Sequence, residues 1–85
     1  MRIEFDPAKD QANVAKHGVS LTAAADFEIH AVVRDDRRNY DEERFNAFGL
    51  LEGRFYCLTF AVRAGHVRAI SLRRARAKEY RRHVP

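Results

Sequence analysis

The run Arg68–Ala69–Ile70–Ser71–Leu72–Arg73–Arg74 carries the residues best suited to chemistry on a phosphate. Read as a strand, its side chains alternate. Ser71 and Arg73 then project from one face, and Ile70 and Leu72 from the other, into a core. A guanidinium is a rigid fork of five donors that stays charged at any working pH. When a ribose 2′-hydroxyl attacks its own phosphodiester, negative charge builds on the phosphorus oxygens. A fixed cation aimed there lowers the barrier by several kcal/mol, roughly 10²–10³-fold per well-placed donor. The competing reading is that Arg73 and Arg74 pair with acidic neighbours or with the carboxylates of a partner.

His17 is the acid–base candidate, because imidazole exchanges protons near neutrality. It closes a predicted helix, where the dipole favours the protonated ring. Asn13 lies one turn earlier and reaches the same face. The alternative for His17 is a side chain that only caps helix carbonyls. Arg44 and Arg63 fall at strand ends. Each either completes an arginine cluster with Arg73 or forms a rim salt bridge with Glu42 or Glu43. His30, His66 and His83 have no metal-ligand spacing. The chain has no Gly-rich phosphate loop, no G-x-S-x-G and no H-E-x-x-H. Its acids gather between Asp35 and Glu43, which reads as a solvated turn rather than a metal-binding carboxylate cluster.

The elements that position these groups follow from local signals. Arg2–Phe5 is a short extended start. Asp6 is an N-cap with Pro7 at the first helical position. That helix runs to His17 and stops at Gly18. Ser20 caps a second helix over Leu21–His30, with Leu21, Ala24 and Phe27 on one side and Val19 stapled against Ala24. Ala31–Val33 opens a strand, and Arg34–Glu43 is a polar turn. Arg44–Leu51, Arg54–Val62 and Val67–Leu72 are strands joined by turns at Glu52–Gly53 and Ala64–Gly65. Arg54–Val62 is apolar on both faces, as a central strand is. Arg74–His83 is a terminal helix. This is an α+β fold: a short N-terminal strand, two helices, an antiparallel β-meander and a C-terminal helix on one sheet.

With 85 residues there is room for one domain, residues 1–85. The 46% apolar and 33% charged content is that of an ordinary globular chain. Net charge is +4, unevenly spread: every charged residue from Arg54 onward is basic except Glu79. Such a surface suits a phosphate-rich or acidic partner, or serves only as a solvated helix face. A lone cysteine, Cys57, makes no internal disulfide and reads as a buried structural thiol. No apolar stretch approaches the roughly 20 residues of a membrane span, and the start lacks a signal core. Cytoplasmic residence without membrane association is the expectation.

Three blocks of sequence resemble the BrnT family of toxins. The first is Asp6–Pro7–x–Lys9–x–x–x–Asn13–x–x–Lys16–His17–Gly18–Val19. The second is Glu43–Arg44–Phe45–x–x–x–Gly49. The third is Arg68–x–Ile70–Ser71–x–Arg73–Arg74–Ala75 with Glu79. They come in the family's order and span nearly the whole chain. Phe5 stands where the family often has tryptophan, Arg74 where it often has lysine, and His83 near the position of a usual tyrosine. The resemblance implies a RelE-like fold and a metal-independent endoribonuclease that arrests translation. It also implies a cognate BrnA-like antitoxin with a ribbon-helix-helix domain, through which alone the pair would touch operator DNA. Asn13 is then a residue that braces a loop, and Glu79 one that pairs an arginine.

Put together, Arg73 and Arg44 would clamp the scissile phosphate and His17 would shuttle protons. Arg63 would add electrostatic support, and Lys16, Ser71, Arg74 and Arg68 would hold the RNA. Arg73 is preferred over Arg74 because alternation sets it beside Ser71. A non-catalytic module that docks RNA or an acidic partner is the main alternative. A DNA-binding regulator fits less well, since the second helix is alanine-rich and acidic rather than basic.

Overall fold

The computed structural model describes residues 3–37 and 42–85. Strand β1 (Ile3–Glu4) leads into helix α1 (Pro7–His17) and a 3₁₀ helix (Leu21–Asp26). Then come β2 (Glu28–Arg34), β3 (Arg44–Leu51), β4 (Arg54–Arg63), β5 (His66–Arg74) and helix α2 (Ala77–His83). The sheet order is β1-β5-β4-β3-β2. β1 runs parallel to β5, and the other neighbours pair antiparallel, so an N-terminal strand is added to a four-strand meander. Part of the turn expected over 34–43 lies outside the described residues.

The first helix forms as its signals require. The Asp6 carboxylate accepts from the Ala8 N–H at 2.9 Å, Pro7 follows it, and Gly18 closes the helix at φ +72°. Asp10 then ties this helix to the next segment, accepting from Ser20 Oγ at 2.9 Å and the Leu21 N–H at 2.7 Å. The expected second helix is a correction. It is a six-residue 3₁₀ helix ending at Asp26, and residues from Glu28 onward are strand. Leu21, Ala24 and Phe27 recur every three residues, the period of a 3₁₀ helix. The strand formers after Phe27 gain more by pairing with β3 than by extending a short helix.

Two bulges set which way side chains face. In β2 the register slips at His30, between Ile29 and Ala31. Gly49, opposite Ile29, must be glycine, since a Cβ there would lie 1.8 Å from the Glu28 carbonyl oxygen. In β5 Ser71 pairs Thr59 and Ala69 pairs Phe60, leaving Ile70 as the extra residue. The expected pairing of Ile70 with Leu72 on the core side therefore fails. Ala69 and Leu72 are both buried in the core, and Ile70 turns to the face of Ser71 and Arg73. The terminal helix also starts later than expected. β5 continues through Arg74 opposite Tyr56, and the Ala75 N–H still bonds the Phe55 carbonyl at 2.9 Å.

Both faces of the sheet are covered. α1 and the 3₁₀ helix close over Ala47, Leu51, Leu58, Ala69 and Leu72, with Leu21 and Ala24 at the centre and Phe5 and Val19 packed around them. On the reverse, Phe48, Cys57 and Ala75 meet Tyr80 and Val84 at α2. Cys57 is the inert thiol expected: 2% exposed, with burial pushing its pKa up to about 11.

Asn13 joins α1 to the sheet. Its carboxamide donates to the Leu72 carbonyl at 2.9 Å and accepts from the Leu72 N–H at 3.0 Å. The same nitrogen donates to the Val19 carbonyl at 2.8 Å. β1 pairs only with Val67 and Arg68, so beyond that point Asn13 stands in for the missing strand. Asn13→Ala leaves these buried backbone groups without their partner, each worth about 1–3 kcal/mol. Urea denaturation is expected to show a loss of about 2–3 kcal/mol. A loss below about 0.5 kcal/mol would contradict the bracing role.

Candidate functional site

Directly paired residues on neighbouring strands share a face. The pairing sets three rows on the α2 side: Arg44–Ala61–Arg68, Asn46–Thr59–Ser71 and Phe48–Cys57–Arg73. The β5 bulge lies between the first row and the second. Without it, Arg68 and Arg73 would face opposite sides. A cleft of about 530 Å³ opens over the second and third rows. β3 supplies Arg44 and Asn46, and β4 supplies Thr59. β5 supplies Ile70, Ser71 and Arg73, the end of α1 supplies Lys16 and His17, and α2 supplies Glu79 and His83.

Five of the eight sequence-derived site residues thus come together: His17, Arg44, Arg73, Lys16 and Ser71. The other three do not line this cleft. Arg63 and Arg68 border a separate hollow with Glu4 and His66, toward the β4–β5 turn. Arg74 turns to the other face, its guanidinium 5.7 Å from the Tyr56 ring centroid, and borders a second basic hollow.

Arg73 is held by Glu79 from α2. Nη1 and Nη2 each donate to one carboxylate oxygen at 2.9 Å, and Nη1 also donates to the Arg74 carbonyl at 3.2 Å. A guanidinium has five N–H groups. Those left are Nε–H and the second Nη2–H, which lie side by side along one edge. Arg73 therefore keeps one complete two-donor fork of the kind that grips a phosphate. The bonds from Arg73 hold the Glu79 carboxyl below its usual pKa, and the same contact pushes the Arg73 pKa up.

Glu42 lies within ion-pair distance of both Arg44, at 3.5 Å, and Arg63, at 3.0 Å. The rim salt bridge considered for Arg63 is therefore formed. Asp35 is 5% exposed and receives Arg37 through Nε at 2.8 Å and Nη2 at 2.9 Å. These two acids correct the expectation of a solvated acidic turn, because Arg37 in the same loop pairs Asp35 while the strand residues Arg44 and Arg63 lie against Glu42.

His17 also differs from expectation. The helix end was expected to favour the imidazolium. Instead the His17 pKa is lowered, first by desolvation and then by repulsion from Lys16 and Arg73. The neutral ring therefore dominates at pH 7. Asn13 does not assist it as a site partner, being consumed by Leu72 and Val19.

The sequence reading missed Asn46, Thr59 and His83. The Thr59 hydroxyl donates to Asn46 Oδ1 at 2.7 Å, and His83 stacks on Phe48 with centroids 4.5 Å apart. Alternation along β3 groups Asn46 with Arg44, but only the cross-strand register sets Thr59 and Ser71 beside them. Tyr80 has a structural part: it stacks on Phe55, and its hydroxyl meets His30 Nδ1, whose Nε2 meets Glu28 at 2.6 Å.

The family model for the ribonuclease toxin BrnT of type II toxin–antitoxin systems matches residues 5–79. The chain belongs to the BrnT family. No match was found among curated proteins. The matched stretch takes in every cleft residue except His83. Membership in this BrnT group makes the chain one of a ribonuclease toxin family whose systems pair the toxin with a cognate antitoxin. No helix among the described residues is long and apolar enough to cross a membrane.

Two titrations check the site. The His17 midpoint, followed by NMR, is expected below 6.5 and should rise in Arg73→Ala as one repulsive charge is removed. A midpoint at or above 6.5 in the wild type would contradict the geometry. Because the folded Glu79 pKa is depressed, its contribution to stability is present above 4.5 and lost as pH falls through the folded value. Glu79→Gln should therefore be less stable than wild type at pH 7. The gap should shrink as pH falls below 4.5 and close once pH has passed the folded Glu79 pKa in chemical denaturation, and a gap that does not shrink with falling pH would contradict the pairing.

Proposed function

We propose that this chain is a cytoplasmic toxin that cuts RNA without a metal and arrests translation. In this reading residues 1–85 form one RelE-like domain. A BrnA-like ribbon-helix-helix antitoxin neutralises it and alone contacts operator DNA. One observation carries the proposal: His17, whose pKa is lowered, and Arg73, held in place by Glu79, line the same cleft, with Arg44 and Lys16 beside them.

In the proposed reaction neutral His17 accepts the proton of a ribose 2′-hydroxyl as that oxygen attacks the adjacent phosphorus. The bond to the 5′-oxygen breaks, the imidazolium returns the proton to that oxygen, and a 2′,3′-cyclic phosphate remains. The Nε and Nη2 donors of Arg73 meet the charge that develops on the phosphorus oxygens, where fixed donors contribute most. Arg44 and Lys16 add positive potential, and Ser71 offers a hydroxyl to the sugar–phosphate backbone. Arg63 and Arg68 lie outside the cleft, so the chemistry does not require them. Glu79 acts as a positioning residue, through Arg73.

Induced expression in a bacterial culture tests this reading. Wild type is expected to stop growth with RNA decay on a gel. Arg73→Ala and His17→Ala are each expected to relieve it, with in vitro rates down roughly 10²-fold or more. An Arg73→Ala variant that still arrests growth would remove Arg73 from the mechanism. RNA binding without cleavage by any of the three proteins would favour the non-catalytic binding module.

A further inference from the structure

Next to the cleft lies a second hollow of about 480 Å³, lined by Arg73, Arg74, Arg76, Lys78, Glu79 and Arg82. Five cations meet one carboxylate there, and both oxygens of that carboxylate are already bonded to Arg73. Among the described residues, the ion pairs formed by arginine engage Arg34, Arg37, Arg44, Arg63 and Arg73, and none engages Arg74, Arg76, Lys78 or Arg82. Convergent like charges repel, and no ion pair among the described residues neutralises these four. An arriving polyanion relieves that repulsion.

We infer that this hollow is a second phosphate subsite, holding the RNA backbone next to the scissile phosphate. The inference rests on the RNA-cleaving reading and extends it. Arg73 and Glu79 line both hollows, so a strand leaving the cleft passes their ion pair and enters the second cup. Every lining residue is charged. No aromatic ring offers a base a stacking platform, so the cup reads backbone rather than sequence. No aliphatic or aromatic anchor is present either, whereas protein partners are held mainly by such anchors. The favoured substrate is then a single strand several nucleotides long, with little base preference on the side of this cup.

Fluorescein-labelled 2′-O-methyl oligouridines, which lack the attacking hydroxyl, separate binding from cleavage. A dinucleotide, with one phosphate, reports on the cleft; a hexanucleotide also reaches the second cup. The double variant Arg76→Ala with Arg82→Ala removes two exposed cations that form no ion pair among the described residues, and it is expected to fold as wild type does. It should weaken hexanucleotide binding roughly tenfold at low salt and leave the dinucleotide unchanged. The slope of log K against log salt should fall by about 0.7 per lost contact. Arg76→Lys with Arg82→Lys should restore most of the slope. Equal hexanucleotide affinity and slope in wild type and the alanine variant would overturn the subsite. So would a loss as large for the dinucleotide, or a loss seen only with an oligoglutamate peptide. A wild type that binds these oligonucleotides in the predicted order yet never cuts unmodified RNA would defeat the cleavage reading and leave the subsite standing.

Discussion

The Asn13 carboxamide at the open edge of β5 is the contact on which the cleft depends. β1 is two residues long and leaves the Leu72 N–H and carbonyl facing outward. Buried backbone groups must be paired, and one side chain 4% exposed satisfies both while also holding the Val19 carbonyl. This fixes both the height of α1 along the strand and the turn that follows it. His17 sits one helical turn beyond Asn13, so fixing Asn13 against Leu72 brings His17 to the cleft that Arg73, the next residue of β5, also lines. His17 and Arg73 are thus aligned by a bond that involves neither.

Much of the fold was legible because local signals and global packing agree. The Asp6–Pro7 start, the Gly18 stop, the turns at Glu52–Gly53 and Ala64–Gly65 and the strand Arg44–Leu51 follow from backbone chemistry alone. The rest depends on pairing between distant segments. A three-residue apolar spacing passes for either helix type until β3 claims Glu28–Arg34. A bulge adds a residue without leaving a mark in the sequence, so alternation through Ile70 misplaced that side chain while keeping Ser71 and Arg73 together. The same limit explains the site. Asn46, Thr59 and Ser71 lie far apart along the chain and form a row only through register. Asp35 and Glu42 sit in a polar run whose composition suggests solvent, yet arginines nearby in space draw them out of it.

The basic surface divides into two electrostatic regimes. Around the cleft, acids hold the arginines: Glu79 holds Arg73, Glu42 lies against Arg44 and Arg63, and Asp35 receives Arg37. Such pairs add little stability where solvent reaches them, and their value lies in orientation. A long cationic side chain held in one geometry has already given up the entropy that binding would otherwise cost. Around α2, Arg74, Arg76, Lys78 and Arg82 form no ion pair among the described residues, and they offer charge rather than geometry. In the proposed reading, positioned donors serve where a bond breaks and loose positive charge where a backbone only rests.

In the proposed reaction cleavage uses the RNA's own 2′-hydroxyl, with side chains alone supplying proton transfer and charge stabilisation. Its most direct test is the chemistry of the ends produced from a defined RNA treated with purified toxin in excess chelator. A 2′,3′-cyclic phosphate on one fragment and a 5′-hydroxyl on the other are expected, at a rate the chelator does not change. A 3′-hydroxyl with a 5′-phosphate, or activity that disappears with the chelator and returns with a divalent ion, would contradict it.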